Sequence, residues 1–541
     1  MKQNIFNKII TISFTTFVFV TLLSVTINKS LTNLDEIWNY NTARVMSEGL
    51  LPYKDVSMIT TPLLPAITAV ILKITANQLF VSRILSAIIG SAIILIIYKI
   101  FDLLLKNKTL SILCSEIITV FLIKYICIDY NFICLLICLS TLFLELKKIN
   151  SINEINEEKN HDMNNAIIAS LKSSNVYNIM IGMLGGLAIC TKQTIGIVMS
   201  IILVLYPLIF VHNKTLAKDY LKIVVKRLIG IIIPVLILFS YLIVTNSLND
   251  FINYAILGIK TFSNKVSYIN LINSKTKTIS AFSIFFPIAM LALFANALIK
   301  WIINLKKNKS FKNMKSINLL SLTIYLVPML IVIYPISDNI HFFIGTVILA
   351  VTIMYCIIRI INIILKQIEK VGKQKIYNQI LKYFEIVVVV FFTLQEGYHL
   401  IFKTYTNFME YNNKSKNTML NHYKNVYIDE NLAMKIETID KYIKEQNEKN
   451  KNVYILDAEA AIYNIPIDKY NKNYDMFLKG NIGKDDEEGI IQNIRNSENC
   501  IYLVKKENYS LNWQTPKKVI EYVRTNLTKL GEIGIFDIFE Q

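Results

Sequence analysis

The feature that most constrains this chain is an alternation. Apolar runs of about twenty residues recur along it, separated by short polar connectors. A helix rising about 1.5 Å per residue needs about 20 apolar residues to cross the hydrocarbon of a bilayer. On that measure spans fall at 9–28, 80–101, 109–128, 131–147, 177–191, 194–211, 228–246, 279–301, 317–335, 341–363 and 384–402, eleven in all. The segment Pro62–Ala76 is apolar but short and proline-led, and reads as a helix lying along or dipping into the surface. The first run follows a basic start (Lys2, Lys8), is longer than a signal-peptide core and precedes no cleavage pattern, so it reads as an uncleaved first span. With 53% hydrophobic residues and a mean hydropathy of +0.44 over 541 residues, the chain belongs mostly in lipid.

Charge sorts the connectors into two kinds. Lys106 and Lys108, the stretch HNKTLAKDYLKIVVKR (212–227), KWIINLKKNKSFKNMK (300–315) and RIINIILKQIEKVGKQKIYNQILK (359–382) share one side when Pro62–Ala76 is not counted as a span. The third stretch holds Lys300, Lys306, Lys307, Lys309, Lys312 and Lys315 and no acid. The positive-inside rule makes that side the cytoplasm, with the N-terminus inside and everything after residue 402 outside. The same rule accounts for the net charge of +18. No basic stripe interleaved with aromatics accompanies it, so nucleic acid is excluded as a partner. The expected location is a bacterial plasma membrane, crossed many times.

The outer side collects the first loop (29–79), Asp129, the turn Thr191–Gln193, the loop 246–278, YPISDNIH (Tyr334–His341) and the tail. These connectors carry acids, aromatics, prolines and a histidine, so the chemistry is expected there. Six of the seven cysteines lie in or beside apolar runs and Cys500 lies in the tail, which is no disulfide framework. From about Glu410 the chain turns polar with an α/β pattern. Helical spacing appears in 428–448, short buried strands in NVYILDA and NCIYLVK, an amphipathic helix in TPKKVIEYVRTNLTKLG and a last strand in IGIFDIF. The expected architecture is an all-α polytopic bundle over 1–403 and a small extracytoplasmic α/β domain over 410–541. The tail reads as an independent domain whose removal spares the chemistry, because it has no phosphate loop and no His–Cys pair.

The stretch LDEIWNYNTARVMSEGLLPYKD, followed by a proline-led helix and RILSAIIGSAIILIIYKIF, resembles the opening of the GT-C superfamily of membrane glycosyltransferases. Asp35, Glu36, Gly49, Pro52, Tyr53 and Asp55 stand at that family's first-loop positions. GGLAICTKQTIGI, the DYN at 129–131 and YPISDNIHFFIG resemble its later segments. The resemblance implies a GT-C fold, with inverting transfer of a sugar from a polyprenyl-phosphate-linked donor to an extracytoplasmic glycan, lipid or protein. A carboxylate would take the acceptor proton and cations or dipoles would hold the leaving phosphate.

The resemblance makes Asp35 and Glu36 the candidate catalytic residues. The two point about 100° apart on a helix, so one serves as base, and Asp35 is favoured. Both also suit the first turn of a helix capped by Asn33, where carboxylates meet the positive end of the dipole. Asp129, Lys192, Gln193, Tyr53, Asp338 and His341 are the candidate substrate-binding residues, with Lys192 as the phosphate clamp. Each has a plainer reading: snorkelling for Lys192, interface anchoring for Tyr53 and interface polarity for Asp129 and His341. Metal and cofactor requirements stay open, since Asp-x-x-His alone is not a metal site. A polysaccharide polymerase or ligase and a lipid-linked sugar flippase or transporter are the alternative functions.

The charge pattern makes a direct prediction. A cysteine placed at Ser415 or Ser510 reacts with an impermeant maleimide in intact cells, and one at Lys309 reacts only after permeabilisation. The opposite labelling overturns the orientation.

Overall fold

Ten of the expected runs fold as helices in a computed structural model that describes residues 2–31, 33–156, 163–262, 266–306, 314–369, 387, 394, 420–507 and 514–541. The helices, numbered in chain order, are α1 (Lys2–Ile27), α2 (Leu34–Ser47), α3 (Leu63–Ile74), α4 (Leu79–Leu105), α5 (Lys108–Leu122) and α6 (Tyr130–Asn156). After them come α7 (Met163–Ser173), α8 (Asn175–Thr191), α9 (Gln193–Leu205), α10 (Lys214–Val244) and the single turns α11 (Leu248–Phe251) and α12 (Ile269–Ile272). The series ends with α13 (Lys277–Lys306), α14 (Met314–Leu330) and α15 (Asn339–Glu369).

Among the described residues, seven helices are long and apolar enough to cross a membrane, or eight if α7 and α8, bent by 82°, form one span. The protein is a multi-pass membrane protein. The expected run at 131–147 is α6, and that at 109–128 is the shorter α5. The expected span 384–402 lies outside the described residues, apart from 387 and 394.

Two of the boundaries that differ from the sequence reading bear on the packing. The third run stops being helical after Leu122, and the chain to Asp129 is irregular. The helix expected to begin at 228 begins at Lys214, so Arg227 is not in a connector but fully buried in the bundle. It can lie there because Glu145 of α6 faces it at 2.6 Å, Asn178 accepts from its Nε at 3.1 Å, and Tyr177 donates to Glu145 at 2.9 Å. A buried guanidinium persists in a bundle when paired and hydrogen-bonded in this way. Glu145 lies fifteen residues along α6 from Tyr130, about 22 Å at the helical rise, so this pair braces the far end of the bundle.

The helix α3 is apolar but only 12 residues long, shorter than a bilayer crossing needs. Gly49 ends α2 at φ +107°, a backbone angle that L side chains rarely adopt, and the chain then folds back on itself. Leu51 N donates to Asp55 Oδ2 at 2.8 Å and Tyr53 N to the Val56 carbonyl at 2.8 Å. The G…PY.D residues thus build a turn.

The tail carries a four-stranded sheet in the order β1-β2-β4-β3: β1 (Asn452–Ile455), β2 (Cys500–Lys505), β3 (Thr528–Ile533) and β4 (Phe536–Glu540). β1 and β2 are parallel and the other pairs antiparallel. Strand β3 was hidden in the sequence, where TKLG continues a helical stretch. The helix instead ends at Asn526, and the two-residue turn Gly534–Ile535, with Gly534 at φ +53°, folds β3 back onto β4.

The tail is not separable from the membrane part in the way its composition suggests. Leu31, Ile37, Tyr40 and Ala43 share one core with Tyr423, Ile436, Ile439, Ile455 and Ile462. Trp38 Nε1 donates to the Ala458 carbonyl at 2.9 Å, and Asn41 Nδ2 to Asp475 Oδ2 at 2.8 Å. Tyr254 OH reaches Asn473 at 2.8 Å, and Gly480 N reaches Thr261 Oγ1 at 2.9 Å. Each fully buried large apolar side chain contributes about 1.5–3 kcal/mol, so α2 depends on the tail for much of its order. A chain cut after Phe402 is therefore expected to insert but to leave α2 sensitive to protease and to lose activity. Unchanged protection of 34–47 in that truncation contradicts the shared core.

Candidate active site

The site starts from the way α2 is pinned. Asn33 caps it, its side chain accepting from Asp35 N at 3.0 Å and Glu36 N at 3.3 Å. Glu36 then points inward, 1% exposed, and both its oxygens accept from Arg83 of α4, with the Nη2 contact at 2.8 Å. The remaining Arg83 donors bond the carbonyls of Ile27, Lys29 and Ser30 at the end of α1. Glu36 is therefore fully engaged in an ion pair and positions the segment. A sequence reading of the Asp-Glu pair leaves open which of the two is held; Arg83, unnoticed there, decides it.

Asp35, one residue earlier, faces another direction. Burial pushes its carboxyl up to about 6, and Asp129 adds to that; His341 and Lys192 oppose, while Asp338 reinforces it. These five side chains, drawn from α2, the α5–α6 connector, the α8–α9 junction and the start of α15, are thus close enough to act on one another's charge. Asp129 is 3% exposed and is also raised by burial, with His341, Lys192 and the Asn131 hydrogen bonds opposing. Asn131 N donates to Asp129 Oδ1 at 2.6 Å.

Lys192 occupies the single extended residue between α8 and α9, at φ −149° and ψ 109°. Gly196 makes this sharp junction feasible, since a Cβ there would meet Ile189 N at 2.1 Å. The Lys192 ammonium donates to Asn131 Oδ1 at 3.0 Å and lies 4.7 Å from the centre of the Tyr130 ring. Burial lowers its pKa while Asp129 raises it. The amides of the first turn of α9 open beside it, the end of a helix that favours anions. Asn131 and Tyr130 both carry Lys192, a role that the short DYN stretch does not spell out.

Asp338 caps α15, accepting from His341 N at 2.9 Å and pairing with His341 Nδ1 at 2.8 Å. Burial pushes its carboxyl up, but the hydrogen bonds and charge of His341 outweigh that and leave it below the usual value. The adjoining chain is fixed by a bridge to the connector between α10 and α13, Val266 N to the Pro335 carbonyl and Ser337 N to the Val266 carbonyl, each 3.2 Å.

Two expected substrate contacts are corrected. Tyr53 is fully buried, its ring edge-on to Phe251 and its hydroxyl donated to the Thr60 carbonyl at 2.8 Å, so it offers a substrate no surface. Gln193 spends its Nε2 on the carbonyls of Ile59 at 2.8 Å and Ala255 at 3.0 Å, clamping the α2–α3 and α10–α13 connectors together. Among the described residues, the side chains around Asp35 do not form a metal-ligating group of three.

No protein-family model matches the chain, and no curated protein matches it. Solved structures do. The crystal structure of ArnT from Cupriavidus metallidurans in the apo state aligns over 98% of this chain and 97% of its own, with a TM-score of 0.51 at 10% identity. The fold is shared with ArnT. The ArnT structure bound to undecaprenyl phosphate aligns over the same shares, with a TM-score of 0.49 at 11% identity. The architecture implied by the GT-C resemblance is the one observed, from the membrane bundle to the tail. At such identity the likeness to ArnT speaks for the fold, and the site rests on the residues above.

The pinning of α2 is testable on stability. Glu36→Gln leaves the Arg83 guanidinium buried without its counter-charge, and breaking such a pair costs about 3–5 kcal/mol. Thermal unfolding of the purified variant should show a clear loss. An unchanged melting temperature contradicts the role given to Glu36.

Proposed function

We propose that this protein is a membrane glycosyltransferase that moves a sugar from a polyprenyl-phosphate-linked donor to an acceptor hydroxyl at the outer membrane face, with inversion. The observation that carries this reading is Asp35: a half-buried carboxyl raised to about 6, within reach of the charge of the half-buried ammonium of Lys192, at one end of a bundle with the ArnT fold. That ArnT has been solved with undecaprenyl phosphate makes such a lipid the first donor class to test. The orientation follows the lysine distribution, with the N-terminus inside and the tail outside.

In this reading Asp35 takes the proton of the acceptor oxygen as that oxygen bonds to the anomeric carbon and the bond to phosphate breaks. A base whose pKa lies near the working pH accepts a proton readily while staying largely ionised. The departing phosphate gains negative charge, which Lys192 and the amino end of α9 offset more in the transition state than in the ground state. Asp129 serves by raising Asp35 and, through Asn131, by aiming Lys192. The Asp338–His341 pair lines the opposite side. Glu36, Tyr53 and Gln193 hold the frame.

Asp35→Asn should cut transfer by about 10²–10⁴-fold, the usual worth of general-base help, while the protein folds and binds donor lipid. The wild-type pH profile of kcat/KM should fall about tenfold per unit below about pH 6, because protonation removes the base. Near-normal transfer by Asp35→Asn, in membranes supplied with a panel of polyprenyl-phosphate sugars, sinks the assignment. Lys192→Ala should lower turnover by about 10²-fold, roughly 3 kcal/mol of barrier, and Lys192→Arg should restore part of it. Normal turnover by Lys192→Ala moves the phosphate clamp elsewhere on the outer face.

A further inference from the structure

A second group of ligating side chains lies where the tail meets the far end of α2. Glu48 follows that helix thirteen residues after Asp35, about 20 Å along its axis. His422 and Asp468 come from the tail. His422 is buried, and its Nδ1 faces the main-chain carbonyl of Asn77 at 2.6 Å. A carbonyl only accepts, so Nδ1 carries a proton and Nε2 is the ring atom turned to the other side. That Nε2 faces Asp468 Oδ1, another acceptor.

The geometry around them is that of a held ligand set. One ligand atom from each of Glu48, His422 and Asp468 lies within 4.8 Å of the other two, the one such group of three among the described residues. Each ligand is tied from behind, which is how proteins orient metal ligands. The Asn77 carbonyl holds His422, and Asn421 Nδ2 donates to Asp468 Oδ2 at 2.9 Å. Asn77 Nδ2 and Arg44 Nη1 donate to Glu48 Oε1 at 2.9 and 3.3 Å. Arg44 itself is fully buried and anchored by Asn41 Oδ1 at 3.1 Å and the Lys469 carbonyl at 2.9 Å, with its Nη1 4.0 Å from Asp468 Oδ1. The carboxylates of Glu48 and Asp468 are 37% and 56% exposed, so an ion can enter and water can complete its coordination.

We propose that Glu48, His422 and Asp468 bind one divalent metal ion of the zinc class, one imidazole nitrogen and two carboxylate oxygens with water as the fourth ligand. The ion cross-links the tail to the end of α2 and, through Asn77, to the start of α4. The site is distinct from the one around Asp35 and does not depend on the reaction assigned there.

The test uses full-length protein in detergent, stripped with chelator and titrated with zinc alone. About one zinc per chain should remain after dialysis, by elemental analysis, with a rise in melting temperature. His422→Ala should abolish both. Glu48→Gln, at an exposed position that the fold tolerates, should weaken zinc binding at least tenfold. Asp35→Asn and His341→Ala should leave zinc binding unchanged. Absence of stoichiometric zinc in the wild type, or equal retention by His422→Ala and Glu48→Gln, overturns the proposal. Stability that follows pH but not zinc, and loses that dependence in His422→Ala, assigns the bridge to a proton and also overturns it.

Discussion

The ion pair between Glu36 and Arg83 is the contact on which the candidate site of this protein is built. Arg83 stands near the start of α4, fully buried, and gathers Glu36 together with the carbonyls of Ile27, Lys29 and Ser30. One guanidinium thereby fixes the end of the first membrane helix, the start of α2 and the start of α4. A planar donor with five N–H groups can do this, and a lysine cannot. Because successive helical residues diverge by about 100°, sending Glu36 into the bundle turns Asp35 toward Asp129 and Lys192. The neutralised neighbour leaves Asp35 to be governed by burial and by Asp129.

The other end of α2 is held by the tail rather than by the membrane helices. Asn41 and Asn464 donate to the buried Asp475, Arg44 bonds Asn41 and the Lys469 carbonyl, and Trp38 bonds the Ala458 carbonyl. Burial pushes the Asp475 carboxyl up to about 6, with Asn41, Asn464 and Arg44 pulling the other way. The helix bearing the candidate base is thus supported from both sides by polar groups whose partners come from distant parts of the chain.

Much of this was legible in the sequence, for physical reasons that also explain what was not. Lipid demands long apolar helices, so the spans showed themselves, and the acids and the histidine in the connectors opposite the most lysine-rich ones, with the motif-like TKQ turn, pointed to Asp35, Asp129, Lys192, Asp338 and His341. The structure brings those five together. Asn33 was readable as a cap because caps are local. Partners distant along the chain were not readable: nothing beside Glu36 announces Arg83, and nothing beside Arg227 announces Glu145. Tyr53 and Gln193 sit in motif-like settings, yet their polar atoms close turns and tie loops. Strand β3 escaped because TKLGEI has no apolar alternation, with its residues mostly exposed at the edge of the sheet.

The central claim is that one carboxylate, Asp35, drives a single displacement at the anomeric carbon. The most direct measurement is the anomeric configuration of the product. Purified protein would be supplied with a polyprenyl-phosphate sugar of known anomer and a simple alcohol, and the glycoside analysed by NMR. One base acting on the acceptor predicts a product of inverted configuration. A product of retained configuration requires a covalent intermediate or a second nucleophile and contradicts the account.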